Sequence, residues 1–249
     1  MNDVLVRAII ATAAAGSVSG FGALALALWG DVSPSTYSTI LGFSAGVMLA
    51  LSSLVLLPHA VSIGSMGSVI AGLFLGALFV MGMEYLLPHL EPHFGGQDFS
   101  PGLEDAVLLT VAVAIHNIPE GLAMGLGYAA GEETMGPQLA IAVAFQNIPE
   151  GLAISLPLRR NGVSRWLTVV FATLSGMSEV LGAIAGVLGA GLLGGVLAPG
   201  LAFAAGALIY VTADQLIPEA HDSSGFPSWG VTSGFALVLL IGWYTQAGS

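Results

Sequence analysis

HNIPEG, residues 116–121, returns almost letter for letter as QNIPEG at residues 146–151. Each copy lies in a run of apolar residues and sets an amide, a proline and a carboxylate where a membrane helix ordinarily carries leucine. At about 100° per residue, His116, Asn117 and Glu120 fall within less than a third of a helix's circumference, with Glu120 between the other two. Gln146, Asn147 and Glu150 share that spacing. If the two faces oppose each other, two carboxylates meet between pairs of neutral polar side chains, and each carboxylate can bridge two cations.

The surrounding chain is membrane material. Of 249 residues 55% are hydrophobic and only 8% are charged, and the mean hydropathy is +0.91, whereas a soluble domain carries about 25% charged residues. Composition therefore predicts an all-α polytopic membrane protein. With no cysteine there is no disulfide framework and no thiolate ligand, so a transition-metal site must use histidine, carboxylate, amide or thioether. Fifteen acidic residues against four arginines and no lysine give a net charge of -11. That balance argues against nucleic acid or anionic lipid as partner and suits cations.

A span needs about 20 mostly apolar residues. Breakers such as DVSPS, PHFGGQDFSPG, GEETMGP and RRNGVSR predict eight helices over roughly 3–29, 36–58, 64–87, 103–130, 137–157, 165–190, 196–220 and 227–246. The first apolar run is too long for the ~7–15 residue core of a signal peptide and is read as a retained span. Arg159, Arg160 and Arg165 cluster after the fifth span, against the lone Arg7 near the first. The positive-inside rule then puts that loop in the cytoplasm and both termini outside the plasma (inner) membrane.

Internal repetition goes further than the hexapeptides. AGVMLALSSLVLLPHA, 45–60, aligns without gaps on AGALIYVTADQLIPEA, 205–220, sharing Ala-Gly, Leu56 with Leu216 and Pro58 with Pro218. On the span count these two copies run in opposite directions, as do the two hexapeptides. Two inverted pairs predict a pseudo-two-fold axis in the membrane plane, with three helices on each side of a central pair. In transporters so built, the substrate site lies near the midplane where the repeats meet.

Pro119 and Pro149 lack an N–H and free the carbonyls of Ile115 and Phe145; loosened backbone at that depth is tolerated where it lines a watery cavity. Energetics point the same way. A carboxylate at mid-span costs ~2.5–3.5 kcal/mol even on the lenient insertion scale. Glu120, Glu150 and Glu179 all fall near the middle of their helices with no basic residue at matching depth, so bound cations or bound protons must neutralise them.

The paired HNIPEG and QNIPEG motifs resemble those of the ZIP (Zrt/Irt-like) family of divalent metal transporters, particularly its short bacterial and archaeal branch. The resemblance implies eight spans in an inverted 3+2+3 plan and import through a two-metal site. Carried over by position, His116, Glu120, Gln146 and Glu150 would hold a first metal, capped by the thioether of Met48. Asn117, Glu120, Asn147, Glu150 and Glu179 would hold a second. Many members have histidine at the position of Gln146, and some aspartate at that of Asn147. Neutral amides there should weaken binding and make the second site optional. Oxygen donors with one imidazole suit zinc, iron, manganese or cadmium, carried as substrate with no prosthetic group.

Lesser expectations complete the path. Asp214, Glu219 and His221, in and after the seventh span, are candidate exit stations. His89, Glu91 and His93 form a weak copy of a histidine-rich loop, and His59 is a candidate for the entrance, with Ser52 and Ser53 below it. Glu84 is read as interfacial, and glycine-rich helix faces would permit a homodimer. Two other readings stay open: a proton-coupled carrier of another substrate, and an intramembrane metalloenzyme, against which stands the absence of HExxH.

Overall fold

A computed structural model describes residues 2–30, 32–94, 101–193, 195–222 and 224–247, with the side chains of 87–107, 109, 246 and 247 left aside. Every regular element within them is helical: α1 (Asn2–Ser17), α2 (Ser19–Trp29), α3 (Pro34–Ala50), the wider-wound π1 (Leu51–Leu56), α4 (Leu57–Ile63), α5 (Met66–Phe94), α6 (Pro101–Ala129), α7 (Met135–Arg160), α8 (Arg165–Met177), α9 (Glu179–Leu192), α10 (Leu197–Val211), π2 (Thr212–Leu216), α11 (Ile217–Asp222) and α12 (Pro227–Ala247). By length and composition seven stretches of the described residues can cross a membrane: Asn2–Trp29, Pro34–Ile63, Met66–Leu86, Met135–Arg160, Arg165–Leu192, Leu197–Asp222 and Pro227–Thr245. The chain is a multi-pass membrane protein. The remaining expected span, 103–130, falls on α6, part of whose side chains lie outside the described set.

Helix starts follow local chemistry. Ser33 and Ser164 accept from the Thr36 and Leu167 amides to cap α3 and α8, and Pro34 occupies the first turn of α3, where no N–H is needed. The second and seventh expected spans, 36–58 and 196–220, run on past Pro58 and Pro218 to Ile63 and Asp222. Each proline follows a π segment. Because the hydrogen-bond ladder has already changed register there, the missing N–H breaks nothing further.

Local departures recur 160 residues apart. π1 and π2 occupy matching positions of the two aligned stretches, and Ser52 Oγ donates to the Met48 carbonyl as Thr212 Oγ1 donates to that of Leu208. The first and sixth expected spans are each interrupted, at Val18 and at Ser178. Both turns tighten alike: the Val18 amide donates to Ala15 O and the Ser178 amide to Ser175 O, each at 3.0 Å.

The rods pack as two groups, α1, α2 and α6–α9 in one, and α3–α5 with α10–α12 and both π segments in the other. Backbones touch at glycines inside each group. A methyl on Gly46 would lie 2.0 Å from Val231 O, on Gly76 1.9 Å from Phe203 O, and on Gly121 1.8 Å from Glu179 O. Such contact is a common way for membrane helices to gain packing energy when lipid offers no hydrophobic drive. Where the groups meet, α6 and α7 face α3, α10 and π2.

Candidate metal site

Between the groups lies a cavity of about 230 Å³. From α6 and α7 it is lined by His116, Asn117, Glu120, Gln146 and Glu150, and from the other group by Met48, Gln215 and Glu219. Ala112 and Val113 of early α6 line it together with Ile154 and Pro157 of late α7, so the two hexapeptides run antiparallel and face one another. Leu41 of early α3 and Glu219 of α11 lie on the same lining, which makes the two 16-residue copies antiparallel as well.

The amides of the motifs are held through their nitrogens, and the oxygens of Gln146 and Asn147 are left free. Asn117 Nδ2 donates to Ser175 O at 3.2 Å and Asn147 Nδ2 to Ala15 O at 2.8 Å, each reaching the tightened turn of another rod. A backbone carbonyl accepts only, so the amide nitrogen must face it and Oδ1 must face away. Asn147 Nδ2 also donates to Glu179 Oε1 at 2.7 Å, and Gln146 Nε2 to Glu120 Oε1 at 2.6 Å. Glu120 and Glu179 are 2% and 0% exposed, and Glu150 is half-buried.

What these bonds leave over is one-sided. Among the described residues, the side-chain oxygens buried without a hydrogen-bond partner are the Ser19 and Ser175 hydroxyls and five around the motifs: Glu120 Oε2, Gln146 Oε1, Asn147 Oδ1, Glu150 Oε1 and Glu179 Oε2. All five of the latter are acceptors. A buried acceptor with nothing to accept from costs ~1–3 kcal/mol, more when charged, and five of them around three acidic groups call for positive charge. Among the described residues no three His, Cys, Asp or Glu side chains already converge as a metal cluster; amides are interposed between the carboxylates, and Glu179 is buried beside the cavity rather than on its lining.

His116 does line the cavity, but its Nε2 faces Gln215 Nε2 at 3.4 Å. Gln215 also donates to Glu84, which accepts in turn from Tyr210 OH at 3.3 Å. Glu84 is half-buried and bonded, two residues before the end of the apolar stretch Met66–Leu86. Gln215 and Glu84 were not among the expected site residues; the signal for Gln215 was an amide inside the second 16-residue copy. Met48 is buried on the lining, its sulfur 3.5 Å from Thr212 Oγ1, whose proton goes to Leu208 O.

The outlying candidates separate. Glu219 lines the cavity and accepts from Tyr37 OH at 2.6 Å. Asp214 is exposed in a shallow groove with Leu73 and Phe74. His221 is exposed with Nδ1 2.8 Å from its own helix's Ile217 O. His59 is outside the cavity, in a polar cleft where its Nδ1 lies 3.3 Å from Glu132 Oε1. His89, Glu91 and His93 lie outside the described side chains.

A family model described as "ZIP Zinc transporter" matches residues 91–242. The chain belongs to the ZIP family. Among curated ZIP relatives it is 36% identical to the zinc transporter GufA of Myxococcus xanthus, over 94% of this chain and 96% of that one. It is 34% identical to the zinc transporter ZupT of Escherichia fergusonii, over 92% and 93%. With the human zinc transporter ZIP11 it shares 48% identity over 53% of this chain and 41% of that protein.

Proposed function

We propose that this chain imports divalent transition-metal cations across the plasma membrane, zinc foremost, with iron, manganese and cadmium suited to the same donors. The observation that carries the reading is the set of five unpartnered buried oxygens on and beside the two hexapeptides. In this reading His116, Glu120, Gln146 and Glu150, under Met48, take one cation. The Asn117, Asn147 and Glu179 oxygens, with the same two bridging carboxylates, take a second. The relatives named as zinc transporters over nearly the whole chain favour this cargo and the short prokaryotic branch. A transporter needs no enzyme chemistry, and the site has one histidine where a zinc hydrolase uses several.

The matched interruptions and π segments favour eight spans in an inverted 3+2+3 plan, with α6 and α7 as the central pair. Transport would then slide one group of rods along the other. The cavity runs from Glu120 and Gln146 toward the end that carries Leu41, Pro157 and the exposed Glu219, the cytoplasmic end by the arginine rule. On its far side Leu51, Leu56, Met124, Leu139 and Val143 are buried in one apolar cluster. This is the arrangement of an ion path closed outward and open inward.

The test is zinc entry into proteoliposomes loaded with a metal-sensing dye. Carboxylates and imidazole bind protons and metal in competition, so uptake is expected to fall steadily as external pH is lowered from neutral into the acid range, and extra zinc should restore it. Zinc entry absent at every pH, or proton movement unaffected by metal, would favour the proton-coupled carrier instead. Metal-dependent thermal stabilisation of the purified protein separates the two in one measurement.

A further inference from the structure

The second cation position, as assigned above, is supplied by Glu179 from one side only, and the fold holds a matching place on the other. Glu179 opens α9 just after the interruption at Ser178, and Ser19 opens α2 just after the interruption at Val18, 160 residues earlier. The match extends to contacts. A methyl on Gly121 of the first hexapeptide would lie 1.8 Å from Glu179 O, and a methyl on Gly151 of the second would lie 1.8 Å from Ser19 O. Asn147 braces Ala15 O before the first interruption, and Asn117 braces Ser175 O before the second. The Leu181 amide donates to Ser178 O as the Phe21 amide does to Val18 O.

The Ser19 side chain is fully buried and its hydroxyl has no partner, and the same holds for Ser175. A buried serine in a helix ordinarily donates to the carbonyl one turn back, as Ser155 does to Gly151 O at 2.5 Å. Ser19 does not. Its Oγ instead points at the opposite interruption, where a methyl on Gly176 would come within 2.7 Å of it, next to Ser175 and the Asn117 amide.

Resting on the divalent-cation reading, we propose that Ser19 is the counterpart of Glu179 across the pseudo-two-fold axis, and that its hydroxyl, with that of Ser175, supplies a neutral oxygen face to the second cation. The chemistry is that of a hard or borderline divalent ion held by carboxylate, amide and hydroxyl oxygens. Neutrality on this side has a use. Three carboxylates already exceed the charge of one divalent ion, and an ion that must leave again is served by a ligand that does not add a fourth.

The chain has no cysteine, so Ser19→Cys introduces a single thiol of nearly the same size at this position. Cadmium added to the purified variant is expected to produce a thiolate-to-cadmium charge-transfer absorbance, since soft thiolates favour such ions, and Ser155→Cys, equally buried, is expected to produce none. Ser19→Ala, which makes no demand on folding, should weaken cadmium binding about 10-fold, the lower end of the loss when a supporting group is removed from a metal site. Cadmium bound with parental stoichiometry but no absorbance in Ser19→Cys, or parental affinity in Ser19→Ala, overturns the assignment of Ser19 alone. If the parent itself binds no divalent cation, the transport reading falls and this one with it.

Discussion

Glu120→Gln combined with Glu150→Gln is expected to cut zinc entry into proteoliposomes by at least about 100-fold, because loss of even a supporting group costs a metal site 10- to 100-fold and here both bridging carboxylates go. The change removes charge and little else. Glutamine at 120 keeps an acceptor oxygen for Gln146 Nε2, which now donates to Glu120 Oε1, so the packing between α6 and α7 survives. No arginine lines the cavity, and a carboxylate at mid-span costs ~2.5–3.5 kcal/mol on the lenient scale. The metal-free double variant should accordingly unfold at a temperature no lower than the parent's, while the shift that zinc gives the parent disappears. Zinc uptake at the parent's rate in a folded double variant would dismiss the site. Loss of uptake together with an earlier unfolding transition would instead mark the two glutamates as structural.

The opposite result, loss of stability without loss of a ligand, is expected of Gly121→Ala. The added methyl would stand 1.8 Å from the Glu179 carbonyl oxygen and 2.6 Å from its carbon, and backbone on both sides leaves no flexible side chain to move aside. Overpacking of this kind costs about 1–3 kcal/mol and occasionally more. Since the displaced residue is Glu179, zinc affinity should drop as well. Gly82→Ala and Gly189→Ala supply the contrast: both lie in helices with nothing within 4 Å of the added methyl. There the usual gain of roughly 0.5–1 kcal/mol from replacing helical glycine applies. Denaturant unfolding in detergent checks all three, and a Gly121→Ala protein as stable as the parent would mean that α6 and α9 do not pack as described.

Much of this was legible in the chain because charge is expensive in lipid. Glu120, Glu150 and the amides beside them declared themselves through cost and repetition, and the structure places His116, Asn117, Glu120, Gln146 and Glu150 on one cavity. The interruptions at Val18 and Ser178 were not legible. The glycines that flag them, Gly16 with Gly176 and Gly22 with Gly182, are four among 35, and small residues recur in membrane helices for packing alone. Gln215 escaped because an isolated amide in an apolar run resembles any helix-packing residue, and its place is set by π2, whose wider winding is not encoded in periodicity. Glu84 was legible as a residue near the end of its span but not as a partner of Gln215, which lies 131 residues away in the chain.

Each π segment is a helix carrying one surplus residue, and a surplus of one is also a setting of angle. Rewinding Thr212–Leu216 as ordinary α-helix, with its length unchanged, would turn all that follows by about 100° relative to α10. Glu219, which now borders the cavity and accepts the Tyr37 hydroxyl, would swing off that wall. The extra residue thus aims the last turns of the rod, and its twin at Leu51–Leu56 fixes the heading of His59 in the same manner. Regular α winding at either place would leave a continuous hydrophobic helix whose polar groups face the wrong neighbour.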